Sequence, residues 1–225
     1  AARAHTGAVA NDDAAIEAFA AECGLIRVRS LRRLMLAAKG FGFLPGGIGR
    51  RVLVLSNSGG PGVLCTDQAI AEGLEMPPLP HVMAAHLRAQ VPAEASIANP
   101  VDLLADAREE RFALALDAVR DMAAGAYDAV LGIHVVPFMV DAGPVVTRIA
   151  ALAPAIGIPV LHAMMGTLPG KADWFARLEA AGVPAFNDAE AMAECAGILA
   201  RYLDLRRAAA GPEPNAPPAL KGREG

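Results

Sequence analysis

The run Val52-Leu53-Val54-Leu55-Ser56-Asn57-Ser58-Gly59-Gly60-Pro61-Gly62 decides how this chain is read. Its first four residues are all apolar, the pattern of a strand buried on both faces rather than on one. The small residues that follow make a tight turn, and helical spacing then extends from about residue 62 to residue 72. Pro61 suits the start of a helix, where its missing N–H and fixed φ remove no useful hydrogen bond. A strand, a Gly-rich turn and a helix form one βα unit.

The same alternation continues downstream. Apolar runs predict strands over 129–136, 160–164 and 183–186, separated by helices over 109–124, 143–153, 172–181 and 189–206. Residues 76–79 read as a further short strand, pushed to an edge by Pro77 and Pro78, with a helix over 81–90 behind it. Strands alternating with helices imply right-handed crossovers. The expectation is an α/β fold, doubly wound, with a mostly parallel, flavodoxin-like sheet of five strands.

Upstream, Asn11 and Asp12 offer an N-cap for an Ala-rich helix that runs through Cys23 and stops at Gly24. A short strand over 25–28 and a helix over 31–39, capped by Ser30, come next, and the glycines and proline of 40–49 make a loop. This reads as the tail of a second α/β module. The predicted organisation is that tail over 1–45, a flavodoxin-like domain over 46–207, and a flexible Ala/Gly/Pro-rich linker over 208–225.

Composition narrows the function classes. The 225 residues are 54% hydrophobic but only 4% aromatic, which suits small aliphatic side chains packing helices on a sheet. The formal charge of −4, with scattered Lys and Arg, gives no basic stripe for nucleic acid. The apolar stretch 129–140 is broken by Gly132, His134 and Pro137 and falls short of the roughly 20 residues that span a bilayer. Neither a membrane span nor a signal peptide is expected. Cys23, Cys65 and Cys195 are far apart and never in a CxxC pattern, so neither disulfides nor a metal site is predicted, and each reads as a small buried or half-buried hydrophobe. A reducing, cytoplasmic setting fits.

The Gly-rich turn carries the clearest chemistry. Between a buried strand and a helix start, the backbone N–H groups and helix dipole at Asn57, Ser58, Gly59, Gly60 and Gly62 make an anion site. Any tight βα connection needs small residues, so the turn alone fits a purely structural reading equally well. Neither GxGxxG nor a Walker GK[ST] is present, which points to a single phosphoryl or carboxyl group rather than a dinucleotide.

His5-Thr6-Gly7-Ala8 forms a small-residue loop in which an imidazole is reachable, and a neutral histidine can attack phosphorus; taken alone, it reads as a solvated side chain. Asn99-Pro100-Val101-Asp102-Leu103 reads as an Asx-Pro turn capping the approach to the helix near Glu109. His134 and His162, in apolar strands, read as core residues. His81 and His86, five apart, do not share a helix face as a metal pair would. Met164 and Met165 read as core filling, and the turn 166–170 as lining the crevice at the sheet's carboxyl end.

Three ordered segments together, His5-Thr6-Gly7-Ala8-Val9-Ala10, Ser56-Asn57-Ser58-Gly59-Gly60-Pro61-Gly62-Val63 and Asn99-Pro100-Val101-Asp102-Leu103, resemble successive signatures of the NDP-forming acyl-CoA synthetases, relatives of succinyl-CoA synthetase. The resemblance spans roughly residues 1–205. It implies that His5 carries a phosphoryl group between an acyl phosphate site and a nucleotide site, that the turn from Asn57 to Gly62 holds that phosphate, and that Asn99 and Asp102 border it. Alanine at position 4 stands where the family often has serine.

The resemblance also implies an acid–thiol ligase that interconverts acyl-CoA, NDP and phosphate with a small carboxylic acid, CoA and NTP. No cofactor is expected to bind tightly to this chain; CoA, ATP or ADP and Mg2+ belong to the complete enzyme. Its expected partners are a CoA-binding module and an ATP-grasp domain or subunit, in an oligomer, with apolar surface around residues 25–36 needing cover. The chain reads as the middle of a longer protein, unable to complete the reaction alone. The alternative is a non-catalytic regulatory domain of the kind fused to protein acetyltransferases.

Overall fold

The computed structural model describes residues 12–137, 141–166 and 169–210. The turn-bearing strand is β1 (Val52–Ser56), with all five residues buried. Five further strands join it: β2 (Ser96–Ile97), β3 (Val101–Asp102), β4 (Ala129–Val135), β5 (Val160–Met165) and β6 (Ala185–Phe186). They form one sheet in the order β2-β3-β1-β4-β5-β6. Every neighbouring pair is parallel except β2 with β3. Without β2, the parallel strands follow the order second, first, third, fourth, fifth, which is the flavodoxin order.

Two corrections to the expected strands follow from the chemistry of proline and of sheet edges. Residues 76–79 form no strand; only Glu75 bridges Arg51, because the prolines after it lack the N–H groups a ladder needs. The place beside β1 goes to β3, in the segment expected to be a capping loop, and β2 folds antiparallel against it, making six strands rather than five. Residues 25–28 likewise form no strand.

The helices are α1 (Asp13–Glu22), α2 (Leu31–Phe43), α3 (Gly59–Ala71), α4 (His81–Arg88), α5 (Glu109–Met122), α6 (Gly143–Leu152), α7 (Lys171–Ala180) and α8 (Ala189–Ala210). Asp12 and Ser30 cap α1 and α2 through Ala14 N and Arg33 N. Helix α3 begins at Gly59, three residues earlier than its spacing predicts, since proline is compatible with a first turn that lacks acceptors anyway. Helix α8 continues to Ala210, past the predicted start of the linker at 208; the rest of that segment lies outside the described residues.

Two cores flank the sheet. Leu53 and Leu55 of β1 face one, with Met83 and Leu87 of α4, Phe112 and Leu116 of α5, Val146 and Ile149 of α6 and Leu178 of α7. Val52 and Val54 face the other, with Cys65 and Ala69 of α3 and the alanine-rich face of α8. Alternation along a strand buried on both sides produces this division.

The upstream helices do not stand apart. Helix α2 packs on α8, and at Gly40 an added Cβ would lie 2.6 Å from Cys195 Sγ, so the close approach depends on glycine. Arg33 forms a fork on Glu72 at 2.6 and 2.8 Å, and Arg32 reaches Glu194, tying α2 to both α3 and α8. On the outer side, Phe19, Leu25, Leu31, Leu34 and Met35 remain exposed.

Candidate functional site

The strand order reverses between β1 and β4, and open α/β sheets bind ligands outside the carboxyl ends of strands at such a point. Here the two strand ends are bound together by Asn57. Its side-chain amide donates to Val135 O at 2.9 Å while its oxygen accepts from Val135 N at 2.8 Å. Its own backbone N–H goes to Ile133 O, and the residue is 1% exposed. Asn57 therefore extends the ladder by one side chain, and in a residue this deeply buried only the second hydrogen of its amide remains uncommitted.

The next residues turn the chain outward. Ser56 Oγ accepts from Ser58 N and donates to Ser58 O, closing a small loop at 3.0 and 2.7 Å. Ser58 is the N-cap of α3, but its hydroxyl makes no capping bond. Gly62 N is used by Ser58 O at 3.2 Å. Of the five sequence-predicted phosphate ligands, then, the exposed Gly59 and Gly60 retain first-turn amides without intrahelical acceptors, and Ser58 retains its hydroxyl. Nothing lies within 4 Å of an added Cβ at Gly60, so the approach there is open.

The third motif folds against the second. Asn99 accepts from Val54 N at 3.0 Å and donates to Val52 O and Pro77 O, both at 2.9 Å. It supplies the partners that the missing strand would have given β1. The Asn99-Pro100 peptide is cis. Leu103 N donates to Ser56 O at 2.7 Å, and Asp102 Oδ1 accepts from Leu104 N at 2.9 Å. The expected cap for the helix at Glu109 is not made: its N-cap is Arg108, which forms no side-chain bond. Asp102 instead reaches the turn, its Oδ2 lying 3.1 Å from where a Cβ on Gly59 would be.

Leu104, with φ of 70°, holds a left-handed backbone that a leucine seldom adopts. It persists because its neighbours are clamped: Asp102 holds its N–H, and Arg111 binds both Leu103 O and Asp106. These bonds fix the rim of the crevice.

His134 and His162 sit on one face of adjacent strands, each 1% exposed. Burial pushes His134 down to about 4 and His162 down to about 3, the latter helped by the neighbouring His134. His134 Nδ1 and His162 Nε2 have no hydrogen-bond partner among the described residues. His134 also borders a crevice of about 340 Å3 between the starts of α5 and α6, lined by Asp106, Arg108, Glu109 and Asp141. Sequence reasoning placed both histidines in the core but missed this crevice, because it arises where two helix starts meet that lie more than thirty residues apart in the chain.

Among the described residues no group of three or more His, Cys, Asp or Glu side chains is placed to hold a metal ion, and no helix is long and apolar enough to cross a membrane. Cys65 and Cys195 are buried as expected, with thiols pushed up to about 12, while Cys23 is exposed. His5 lies outside the described residues.

No family model matches the chain. Subunit alpha of the ADP-forming acetate–CoA ligase II of Pyrococcus furiosus is 34% identical over 112 residues, covering 50% of this chain and 24% of that protein. The ADP-forming 4-hydroxybutyrate–CoA ligase of Nitrosopumilus maritimus is 31% identical over 119 residues, 53% of this chain and 17% of that protein. Among solved structures, the dinucleotide-forming acetyl-coenzyme A synthetase 1 of Candidatus Korarchaeum cryptofilum shares the fold with a TM-score of 0.81 at 24% identity, over 92% of this chain and 45% of that one. The chain thus spans less than half the length of each. It is similar in sequence, over about half of its length, to parts of ADP-forming acyl-CoA ligases, and it shares the fold of part of an acetyl-coenzyme A synthetase.

Proposed function

We propose that this chain is the part of an NDP-forming acyl-CoA synthetase in which a phosphoryl group is received and held, with His5 as its carrier. The observation that carries the reading is the turn at the sheet's switch point: Gly59 and Gly60 open α3 with unused amides beside the Ser58 hydroxyl, on a base braced by Asn57 and Asn99. A helix start of this kind stabilises a phosphate through its dipole and its N–H groups.

In the proposed cycle an acyl-CoA exchanges its thiol for phosphate, and the resulting acyl phosphate meets the imidazole of His5. The ring nitrogen bonds to phosphorus as the P–O bond to the carboxylate breaks, releasing the free acid. The N–P bond then breaks when the terminal oxygen of a nucleoside diphosphate takes the phosphoryl group. The turn positions the group and stabilises charge on its equatorial oxygens. Magnesium, accompanying the nucleotide in an ATP-grasp partner, would neutralise the charge on the nucleotide.

The exposed apolar side chains from Phe19 to Met35 support a partner surface on the upstream helices. The subunit name of the P. furiosus relative belongs to an enzyme with more than one kind of chain, which supports partner subunits for this chain; that they carry the CoA-binding and ATP-grasp parts is what the resemblance implies.

The test is labelling with γ-phosphate-labelled ATP in the presence of a family ATP-grasp subunit and CoA-binding module. Acid-labile, base-stable label on the parent and none on His5→Asn is the expected result. No label on the parent, with the added parts shown competent, would leave the non-catalytic regulatory reading in its place.

A further inference from the structure

A carboxylate is an unexpected neighbour for an anion site. Asp102 Oδ2 lies 3.1 Å from the position of a Cβ on Gly59, at the mouth of the turn. Its sister oxygen is committed, since Oδ1 accepts from Leu104 N at 2.9 Å. Asp102 takes part in no ion pair among the described residues; Arg111, the basic side chain bound to this loop, is spent on Leu103 O and Asp106. The loop carrying Asp102 is fixed from both sides, through Leu103 N on Ser56 O and through Asn99 on β1. Oδ2 is thus a spare acceptor held in place beside spare donors.

An anion seated on Gly59 and Gly60 meets that acceptor in one of two ways. A fully deprotonated tetrahedral anion sets oxygen against oxygen and is repelled. A phosphate that keeps one proton at neutral pH can give it to Oδ2 as a hydrogen bond while its other oxygens accept from the amides. Sites built to bond a ligand hydroxyl reject analogues without one, because the site's own group is left unpaired.

Resting on the anion-site reading of the turn, we infer that Asp102 is a specificity-determining residue that makes the turn selective for a protonated phosphate over an unprotonated tetrahedral anion such as sulfate.

The test is titration of the full chain with inorganic phosphate and with sulfate at neutral pH, followed through the amide resonances of Gly59 and Gly60. The parent should prefer phosphate by about tenfold or more. In Asp102→Asn the amide oxygen still accepts from Leu104 N, and the amide nitrogen replaces the spare acceptor with a donor. Sulfate should then bind more tightly and phosphate more weakly, erasing the preference. Tightening of both anions would show that Asp102 only repels, and no change in either would remove it from the site; each overturns the inference while leaving the anion site standing. Equal affinities in the parent overturn it without any variant. If the parent binds neither anion at these amides, the anion-site reading itself falls, and the inference with it.

Discussion

The ring of His162 fills the space that a side chain at position 132 would occupy: a Cβ on Gly132 would lie 2.5 Å from His162 Nδ1. The two residues are register partners across β4 and β5, so the glycine in an otherwise bulky strand is there to admit the imidazole. Gly132→Ala should cost about 1–3 kcal/mol by overpacking. In a His162→Ala background the same substitution should cost much less, as a double-mutant cycle by urea unfolding will show.

The buried histidines give the fold a definite acid sensitivity. Their folded values, about 4 for His134 and about 3 for His162, lie below the 6.5 of an unhindered imidazole. The unfolded chain therefore binds more protons in the acid range, and the stability associated with keeping the rings neutral is full above about pH 6.5 and lost as pH falls toward 4 and below. Each histidine should add a slope of up to about 1.4 kcal/mol per pH unit in that window. Urea titrations at stepped pH should find the slope, and a variant with both rings replaced by Gln should lose most of it.

Two asparagines support β1 from opposite sides. Asn57→Ala leaves Val135 N and O without partners, and Asn99→Ala does the same to Val54 N and Val52 O. Each should destabilise the chain by about 2–4 kcal/mol, the cost of stranding buried polar groups. Asn99→Asp should be at least as harmful, since it removes the donor and sets a carboxylate against two carbonyl oxygens.

Thiol chemistry should separate the cysteines cleanly. Burial holds the thiols of Cys65 and Cys195 at about 12, whereas Cys23 is exposed. One equivalent of a maleimide should react quickly with the native chain, at Cys23, and the other two only on unfolding.

Where the sequence was legible, it was through local patterns that no distant contact overrides. The VLVL run of β1 and the apolar stretches of β4 and β5 are buried on both faces, so their composition alone marks them. The second parallel strand was misplaced because β3 spans only two residues and takes its position from Asn99 and Leu103, contacts that cross more than forty residues. At the candidate site, the glycines of the turn were legible. That Asn57 would be consumed by Val135, and that Asp102 would reach Gly59, depended on strand order and left no mark in local spacing.

The loop around residue 45 looks like a natural place to divide this chain, with its glycines and its proline. Helix α2, however, lies on α8 with Gly40 against Cys195 and with Arg32 and Arg33 holding Glu194 and Glu72. Cutting there would strip one flank of the longest helix and leave two carboxylates without their cations. The seam that can be read along the chain is, in three dimensions, crossed by packing and by ion pairs, so a piece cut there exposes the surface that Leu31–Phe43 now covers.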